Sequence, residues 1–394
     1  MNQPFMYKAE ELFELLLNKP DFVLLDVRNE KDFKNFYIEA PSIFPYINIP
    51  YYEFIEDVSG SIAKIPANQK VRIVCSKEGS AQYVAEQVCA KGFTDVGYLQ
   101  GGIVAWGNVL IPKKISANNA GYELYQCIRP GKGSCSYVAI ADGEAMVFDP
   151  SRNVEFYKNF AEKKKCKITK IFETHRQADY ISGGIQLSAD TGATIFANAI
   201  DFDGAHFAYE GIKDMAFYSF SGGTTVQAIH TPGHTMGSTS YLIDNKYLLT
   251  GDTIFISTAG RPDLGGKSEK WSRFLYLTLT LKFRDFNDAT LICPGHYSNW
   301  QESTKKHVFV DTLGNLRKNN IAFKSPTELH FREFIEENLR PQPGTYAKIR
   351  RINGGWRKPS DEDADIMDLG KHECGASNYG KKGVSAEVLR GDNE

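Results

Sequence analysis

Four times between residues 168 and 296 an apolar, strand-type run stops at a histidine or an aspartate. The run Ile168–Phe172 leads into Thr174, His175, Arg176, Gln177, Ala178, Asp179 and Tyr180. Farther on, VQAIH leads into Thr231-Pro232-Gly233-His234-Thr235, YLLT into Gly251-Asp252-Thr253, and LICP into Gly295-His296. β-Branched and aromatic residues suit a pleated, half-buried position. Imidazole and carboxylate are the side chains that hold borderline and hard cations. When several strands end in such groups, the ends can converge on one edge of a sheet. Taken singly, Asp179 also suits a helix cap and Asp252 an Asx-type turn. His206, His307, His330 and His372 have no strand-end setting and are expected to be ordinary.

The first hundred residues follow a different rhythm. The runs FVLLDV (22–27) and VRIV (71–74) alternate with polar helical stretches, which predicts a parallel α/β sheet. Cys75 ends the second run and is followed by Ser76, Lys77, Glu78, Gly79 and Ser80, then by a helical stretch closed at Gly92. At a helix N-terminus the free N–H groups and the dipole stabilise a thiolate and lower its pKa. Loop amides there also cradle an anion. That suits a nucleophile that accepts and hands on sulfur; the alternative is a buried structural cysteine.

At 394 residues the chain has room for two or three domains. We divide it into 1–112, a polar linker 113–121 (KKISANNAG), a second domain 122–345, and an extension and tail 346–394. A net charge of −2 gives no reason to expect nucleic acid or an anionic membrane as a partner. No apolar run reaches the roughly 20 residues that span a bilayer. The first twenty residues read as an amphipathic helix, not a signal peptide. Seven cysteines, an odd number thinly spread, make no disulfide framework, so a reduced, cytoplasmic protein is expected. The helical stretch SPTELHFREFIEENL closes the second domain, YAKIRRIN opens the extension, and the charged, glycine-rich stretch after Gly355 reads as a mobile tail. Within that tail Cys374, near His372, is either a carrier thiol or an exposed bystander.

Two resemblances organise these readings. LDVR, Asn48-Ile49-Pro50, Cys75 after its strand, and Leu99-Gln100-Gly101-Gly102 through Ala105-Trp106 resemble a single rhodanese domain. The resemblance implies sulfur transfer through a persulfide on Cys75, and the six-residue loop CSKEGS has the length that goes with it. Many rhodaneses carry arginine where this chain has Ser80; Lys77 is the candidate replacement charge, or else a solvated surface lysine.

Residues 122–345, with TH-x-x-x-D, TPGHT-x-GS, TGD and PGH in order, resemble the metallo-β-lactamase superfamily. This implies an αββα sandwich with a metal site at one edge. The superfamily's first motif is H-x-H-x-D-H, whereas this chain has His175, Gln177, Asp179 and Tyr180. A two-zinc hydrolase of the glyoxalase II type needs both missing histidines. The persulfide dioxygenase branch does not. It holds one iron by residues matching His175, His234 and Asp252, a 2-His-1-carboxylate triad that leaves open positions on Fe(II). Gly260-Arg261-Pro262-Asp263-Leu264 resembles a further segment of that branch. Arg261 is either a clamp for a substrate carboxylate or oxidised sulfur, or the partner of an acid such as Asp263. Gln177, Asp179, Tyr180, His296 and Tyr297 are candidates to line the centre.

The resemblances together imply oxidation of a low-molecular-weight thiol persulfide by O₂ to sulfite at one Fe(II) per chain, with zinc as the alternative metal. Rhodanese transfer would supply the persulfide or capture sulfite as thiosulfate, and a homo-oligomer is expected. Two other readings stay open: a metal-dependent thioester hydrolase, and an active rhodanese whose second domain is metal-free and serves for binding or dimerisation.

Overall fold

The computed structural model describes residues 3–18, 20–221 and 223–376. The strand Phe22–Asp26 is buried along its whole length, as a strand is when helices cover both faces of a parallel sheet. It belongs to a five-stranded, all-parallel sheet ordered Phe5–Tyr7, Val96–Leu99, Lys70–Val74, Phe22–Asp26, Tyr46–Asn48. On one face Val23, Leu25, Val71 and Ile73 pack against Phe54, Ile62, Val84 and Val88. On the other, Phe22 and Leu24 share a core with Leu12, Phe13 and Leu16 of the helix Ala9–Leu17 and with Ile103 and Trp106 of the helix Gly102–Asn108. Arg28 closes the strand end by clasping the buried Asp26 carboxylate with Nε at 3.0 Å and Nη2 at 2.6 Å.

Past residue 110 the strands build two sheets face to face. Seven run in chain order: Ile111–Lys114, Glu123–Arg129, Ser134–Ala141, Glu144–Phe148, Lys167–Phe172, Thr194–Ala197 and Glu210–Gly211. The other sheet has six: Phe217–Ser219, Thr225–His230, Thr239–Ile243, Tyr247–Gly251, Leu291–Pro294 and Asp311–Thr312. Period-two alternation sorts the side chains. Leu124, Tyr137, Met146, Phe148, Tyr241 and Ile243 fill the space between the sheets. Cys127, Val138 and Val147 face the helix Val154–Lys163, and Leu242, Leu248 and Ile292 face the helices Ser268–Leu277 and Leu313–Asn319. Both faces of both sheets are apolar, so the stable arrangement is helix, sheet, sheet, helix. Each branched or aromatic side chain buried there contributes roughly 1.5–3 kcal/mol.

Two expectations need correction. The linker begins later than its polarity suggests: Lys113 and Lys114 pair with Gln126 and Tyr125 in an edge strand that already starts at Ile111. An edge strand tolerates charge because one side faces water. The expected mobile tail is folded as far as Ala376. Ser360 caps the helix Asp361–Asp368 by accepting from the N–H of Asp363, and three acidic residues in its first turn suit the positive dipole end. Composition predicted mobility because charge was counted without its partners. Arg129 and Arg152 hold the buried Asp368 carboxylate at 2.6 and 3.2 Å. Residues 377–394, the rest of that expected tail, lie outside the described residues.

The two domains share one core. Phe13 packs on Trp300 at 5.8 Å between ring centroids, and Arg129 donates from Nε to the carbonyl of Gly107 at 2.6 Å. Leu369 lies beside Gly107, and Lys371 pairs with Glu39 at 2.6 Å. The stretch after Asp368 thus passes from the first domain to the sandwich edge.

Candidate functional site

His175 stands just past the end of a strand in the seven-stranded sheet, while His234, Asp252 and His296 follow strand ends in the six-stranded sheet. Their meeting is local backbone work. Gly251 adopts φ +48, and a Cβ there would stand 2.4 Å from the Thr174 hydroxyl, so only glycine lets the Asp252 turn close on the His175 loop. One ligand atom each from His175, His234 and Asp252 lies within 4.8 Å of the others. The His175 and His234 Nε2 atoms stand 3.8 and 3.5 Å from Asp252 Oδ2.

Those three atoms are buried, and among the described residues each lacks a hydrogen-bond partner. Three orphaned polar atoms facing one another at full burial cost several kcal/mol unless something joins them. The tautomers agree. Thr174 Oγ1 donates to Asp149 Oδ2 at 2.9 Å, so at 2.9 Å it accepts from the His175 Nδ1–H. His234 Nδ1 lies 2.8 Å from the carbonyl of Arg261, which can only accept. Both imidazoles therefore carry their proton on Nδ1 and present the Nε2 lone pair inward, as a metal-bound histidine does. The donor set fits one cation held by two nitrogens and one oxygen.

The next layer is a chain of charges. His296 Nδ1 donates to Asp252 Oδ1 at 2.7 Å and Nε2 donates to Asp179 Oδ2 at 2.8 Å. Burial alone would lower the His296 pKa, but Asp179 and Asp252 raise it to about 10. Burial opposes the charge on Asp179; His296, Lys132 and His372 overcome it and hold the carboxyl far below the usual range. Burial, helped by His175, brings His234 down to about 4. Asp179 is thus a partner of His296 and not part of the inward-facing trio.

The other candidates fall as follows. Gln177 is buried, its Nε2 3.5 Å from His175 Nδ1 and its Oε1 without a partner. Tyr180 does not plug the trio: its hydroxyl donates to the carbonyl of Asp149 at 3.3 Å. Tyr297 stacks on Phe309 at 3.5 Å between ring centroids. Arg261 is the main correction. Its Nε and Nη2 clasp Asp263 at 2.7 and 2.8 Å, Nη1 donates to the carbonyl of Glu373, and Nη2 also donates to that of Arg340. A guanidinium so fully engaged holds the loop that orients His234 and is not a substrate clamp.

Sequence reasoning missed several contributors. Asp201 joins two ligand loops: it accepts from Thr235 Oγ1 at 2.5 Å, from the N–H of Gly237 at 2.9 Å and from that of Arg176 at 3.3 Å. Asp149 orients His175 through Thr174. Buried Lys132 donates to the carbonyl of Asp179 at 3.0 Å. His372, expected to be ordinary, stacks on His296 at 4.3 Å between centroids, its Nε2 2.9 Å from the carbonyl of Tyr297. Cys374 is no exposed bystander. It is fully buried, with its sulfur 3.6 Å from the Tyr346 hydroxyl and its carbonyl accepting from the N–H of Arg261 at 2.8 Å.

In the first domain the backbone amides of Ala81, Lys77 and Ser80 favour the Cys75 thiolate, although the Ala81 N–H is spent on the carbonyl of Glu78 at 3.0 Å. The pKa moves the other way from expectation: burial raises it, and those amides only partly offset the rise. The helix starts at Gly79, and the thiol is 4% exposed, so desolvation outweighs the dipole. Gly102, at φ +59, lets the Gly-Gly turn lie against the loop carbonyls of Cys75 and Lys77, where a Cβ would collide. Ser80 is half-buried and Lys77 exposed.

Comparison with known proteins agrees with this architecture. Residues 8–108 match the rhodanese-like domain and residues 128–296 the metallo-beta-lactamase superfamily. The chain carries a rhodanese-like domain followed by a metallo-β-lactamase fold, and both are enzyme families. It is 26% identical over 244 residues to a hydroxyacylglutathione hydrolase of Nitrosococcus oceani, spanning 54% of this chain and 91% of that protein. A metallo-beta-lactamase from Staphylococcus aureus superposes with TM-score 0.53 at 26% identity, covering 59% of this chain and 73% of that one. ETHE1 from Myxococcus xanthus superposes with TM-score 0.51 at 22% identity, covering 62% of this chain and 99% of that one, which shows a shared fold. Among the described residues no helix is long and apolar enough to cross a membrane.

Proposed function

We propose that this chain oxidises a low-molecular-weight thiol persulfide with O₂ at a single iron held by His175, His234 and Asp252, and passes sulfane sulfur through Cys75. The observation that carries this reading is the trio of unpartnered, inward-facing donor atoms beside a His296 whose two N–H groups are both spent on Asp252 and Asp179. A second ion at that position would have to displace both protons and separate both ion pairs. Bound iron supplies the redox chemistry that lets O₂ react with a persulfide. The protein fixes both imidazole tautomers, holds the Asp252 carboxylate through His296, and buries the whole set away from bulk water.

In the overall reaction the persulfide, O₂ and one water give the free thiol and sulfite. The sulfur–sulfur bond breaks, the outer sulfur is oxidised and dioxygen is reduced. A Cys75 persulfide then gives its outer sulfur to sulfite as thiosulfate, or the domain runs in reverse to supply persulfide. Packing both sites on one chain raises the local concentration of a reactive intermediate. The test is O₂ uptake by iron-loaded protein with glutathione persulfide. Uptake with sulfite formed supports the reading; none with any thiol persulfide refutes it.

A second reading, thioester hydrolysis by a metal-bound hydroxide, draws on the likeness to the Nitrosococcus oceani hydrolase. It expects two zinc ions per chain and hydrolysis of S-lactoylglutathione.

A further inference from the structure

The buried arginines of this chain hold carboxylates as a rule: Arg28 with Asp26, Arg72 with Asp95, Arg129 with Asp368 and Arg261 with Asp263. The half-buried Arg176 and Arg350 do not. Among the described residues neither forms an ion pair, and both have a buried Nε without a hydrogen-bond partner. The Arg176 guanidinium lies 5.0 Å from the centre of the Trp356 ring. Arg350 spends one N–H, from Nη1, on the carbonyl of Leu264 at 2.7 Å.

Asn353, on the helix Tyr346–Asn353 that carries Arg350, donates to the carbonyls of Gln177 and Tyr180 at 2.9 Å, which holds that helix against the loop after His175. Burial lowers the Arg176 pKa and Arg350 adds to the effect. Asp201 is the acid whose field reaches both, but its oxygens already accept from Thr235, Gly237 and the backbone of Arg176. Two partly desolvated guanidiniums facing one carboxylate leave an excess positive charge, which is costly unless an anion joins them.

Their placement says which anion. Arg176 directly follows His175. Arg350 is tied to the 260–264 loop, whose Arg261 carbonyl orients His234. Arg176 thus adjoins one histidine of the metal centre along the chain and stacks on the Trp356 ring, and Arg350 holds the loop that orients the other. A planar guanidinium takes carboxylate or phosphate oxygens in a fork, with charge-assisted bonds.

We propose that Arg176 and Arg350 form the subsite for the anionic end, carboxylate or phosphate, of the thiol that carries the substrate sulfur. The proposal rests on the reading that the metal centre takes a thiol substrate. It moves the anion-binding role from Arg261, which is fully engaged, to two arginines that are not.

The test is calorimetric binding to the metal-loaded full chain without O₂, so no turnover is needed. Three probes are compared: glutathione, which carries carboxylates; coenzyme A, which carries phosphates; and 2-mercaptoethanol, which carries no charged end. The wild type is expected to bind at least one charged thiol more tightly than 2-mercaptoethanol. Arg176→Gln and Arg350→Gln, on different elements, should each weaken that binding about tenfold, leave metal content unchanged and leave the neutral thiol unaffected. Arg176→Lys should recover part of the loss. The probe that responds tells carboxylate from phosphate. Equal binding of both charged thiols by wild type and variants, or no preference for charge in the wild type, overturns the proposal. If the charge preference is present and arginine-dependent but no persulfide drives O₂ uptake, the subsite stands and the dioxygenase reading falls.

Discussion

Between Cys75 and Ala81 the chain builds a sulfur cradle from consecutive residues, whereas His175, Asp201, His234, Asp252, His296 and His372 reach the metal centre from separate segments. The cradle uses backbone N–H groups, so its chemistry depends on one loop and on the Gly101-Gly102 turn packed against it. The metal centre uses side chains, each oriented by another side chain or carbonyl from elsewhere in the sandwich. A site of the first kind tolerates remote change. A site of the second kind fails when any supporting partner is removed, even far from the ligands.

The sharpest separation should come from paired knockouts. Asp252→Ala is expected to abolish metal binding and O₂ uptake while sulfane-sulfur transfer stays at the wild-type level. Cys75→Ser should do the reverse, leaving metal content intact. Metal analysis and both activity assays on each variant check this, and loss of both activities in either variant breaks the comparison.

Next in size is Asp368→Ala, which strands the buried Arg129 guanidinium. Removing one partner of a buried ion pair costs about 3–5 kcal/mol, read as a lower denaturant midpoint. Burial opposes the charge on Asp368, but Arg129, Lys132 and Arg152 outweigh it and depress its pKa. Its contribution is therefore present above the ordinary carboxylate pKa and is lost as the pH falls through the lower folded value. The wild-type midpoint should fall with acid over that window more steeply than that of Asp368→Asn.

A smaller effect is expected from Thr174→Val, which keeps the shape but cuts the relay from Asp149 to His175. Losing such an orienting group weakens metal affinity about 10–100-fold, measurable by competition with a chelator. Sulfur transfer should not change. Smallest of all is Lys77→Ala. Lys77 is exposed beside the Cys75 loop, and a solvated charge there is expected to alter the transfer rate by less than about fivefold. A larger loss would make Lys77 the replacement for the missing loop arginine.

The strand-end residues were legible because strand period and motif order are local properties: the runs before His175, His234, Asp252 and His296 each declare themselves within a few positions. The layered sandwich was legible through the family resemblance that those motifs carry. What stayed hidden depends on distant partners. Asp201 carries no motif, since its role exists only once Thr235 and Gly237 fold against it. Arg261 sits in a recognisable segment, yet nothing local says that the carbonyls of Arg340 and Glu373 will engage it. The stretch 356–376 looked mobile from composition because the basic partners of Asp368 lie more than two hundred positions upstream, at Arg129 and Arg152. The Cys75 pKa was misjudged because a dipole argument is visible in sequence and burial is not.

The central claim is one iron on three ligands. It is tested most directly by metal analysis of the as-purified full chain beside Asp252→Ala. About one iron per chain is expected in the wild type and almost none in the variant. Two zinc ions per chain, or iron retained without Asp252, would contradict it.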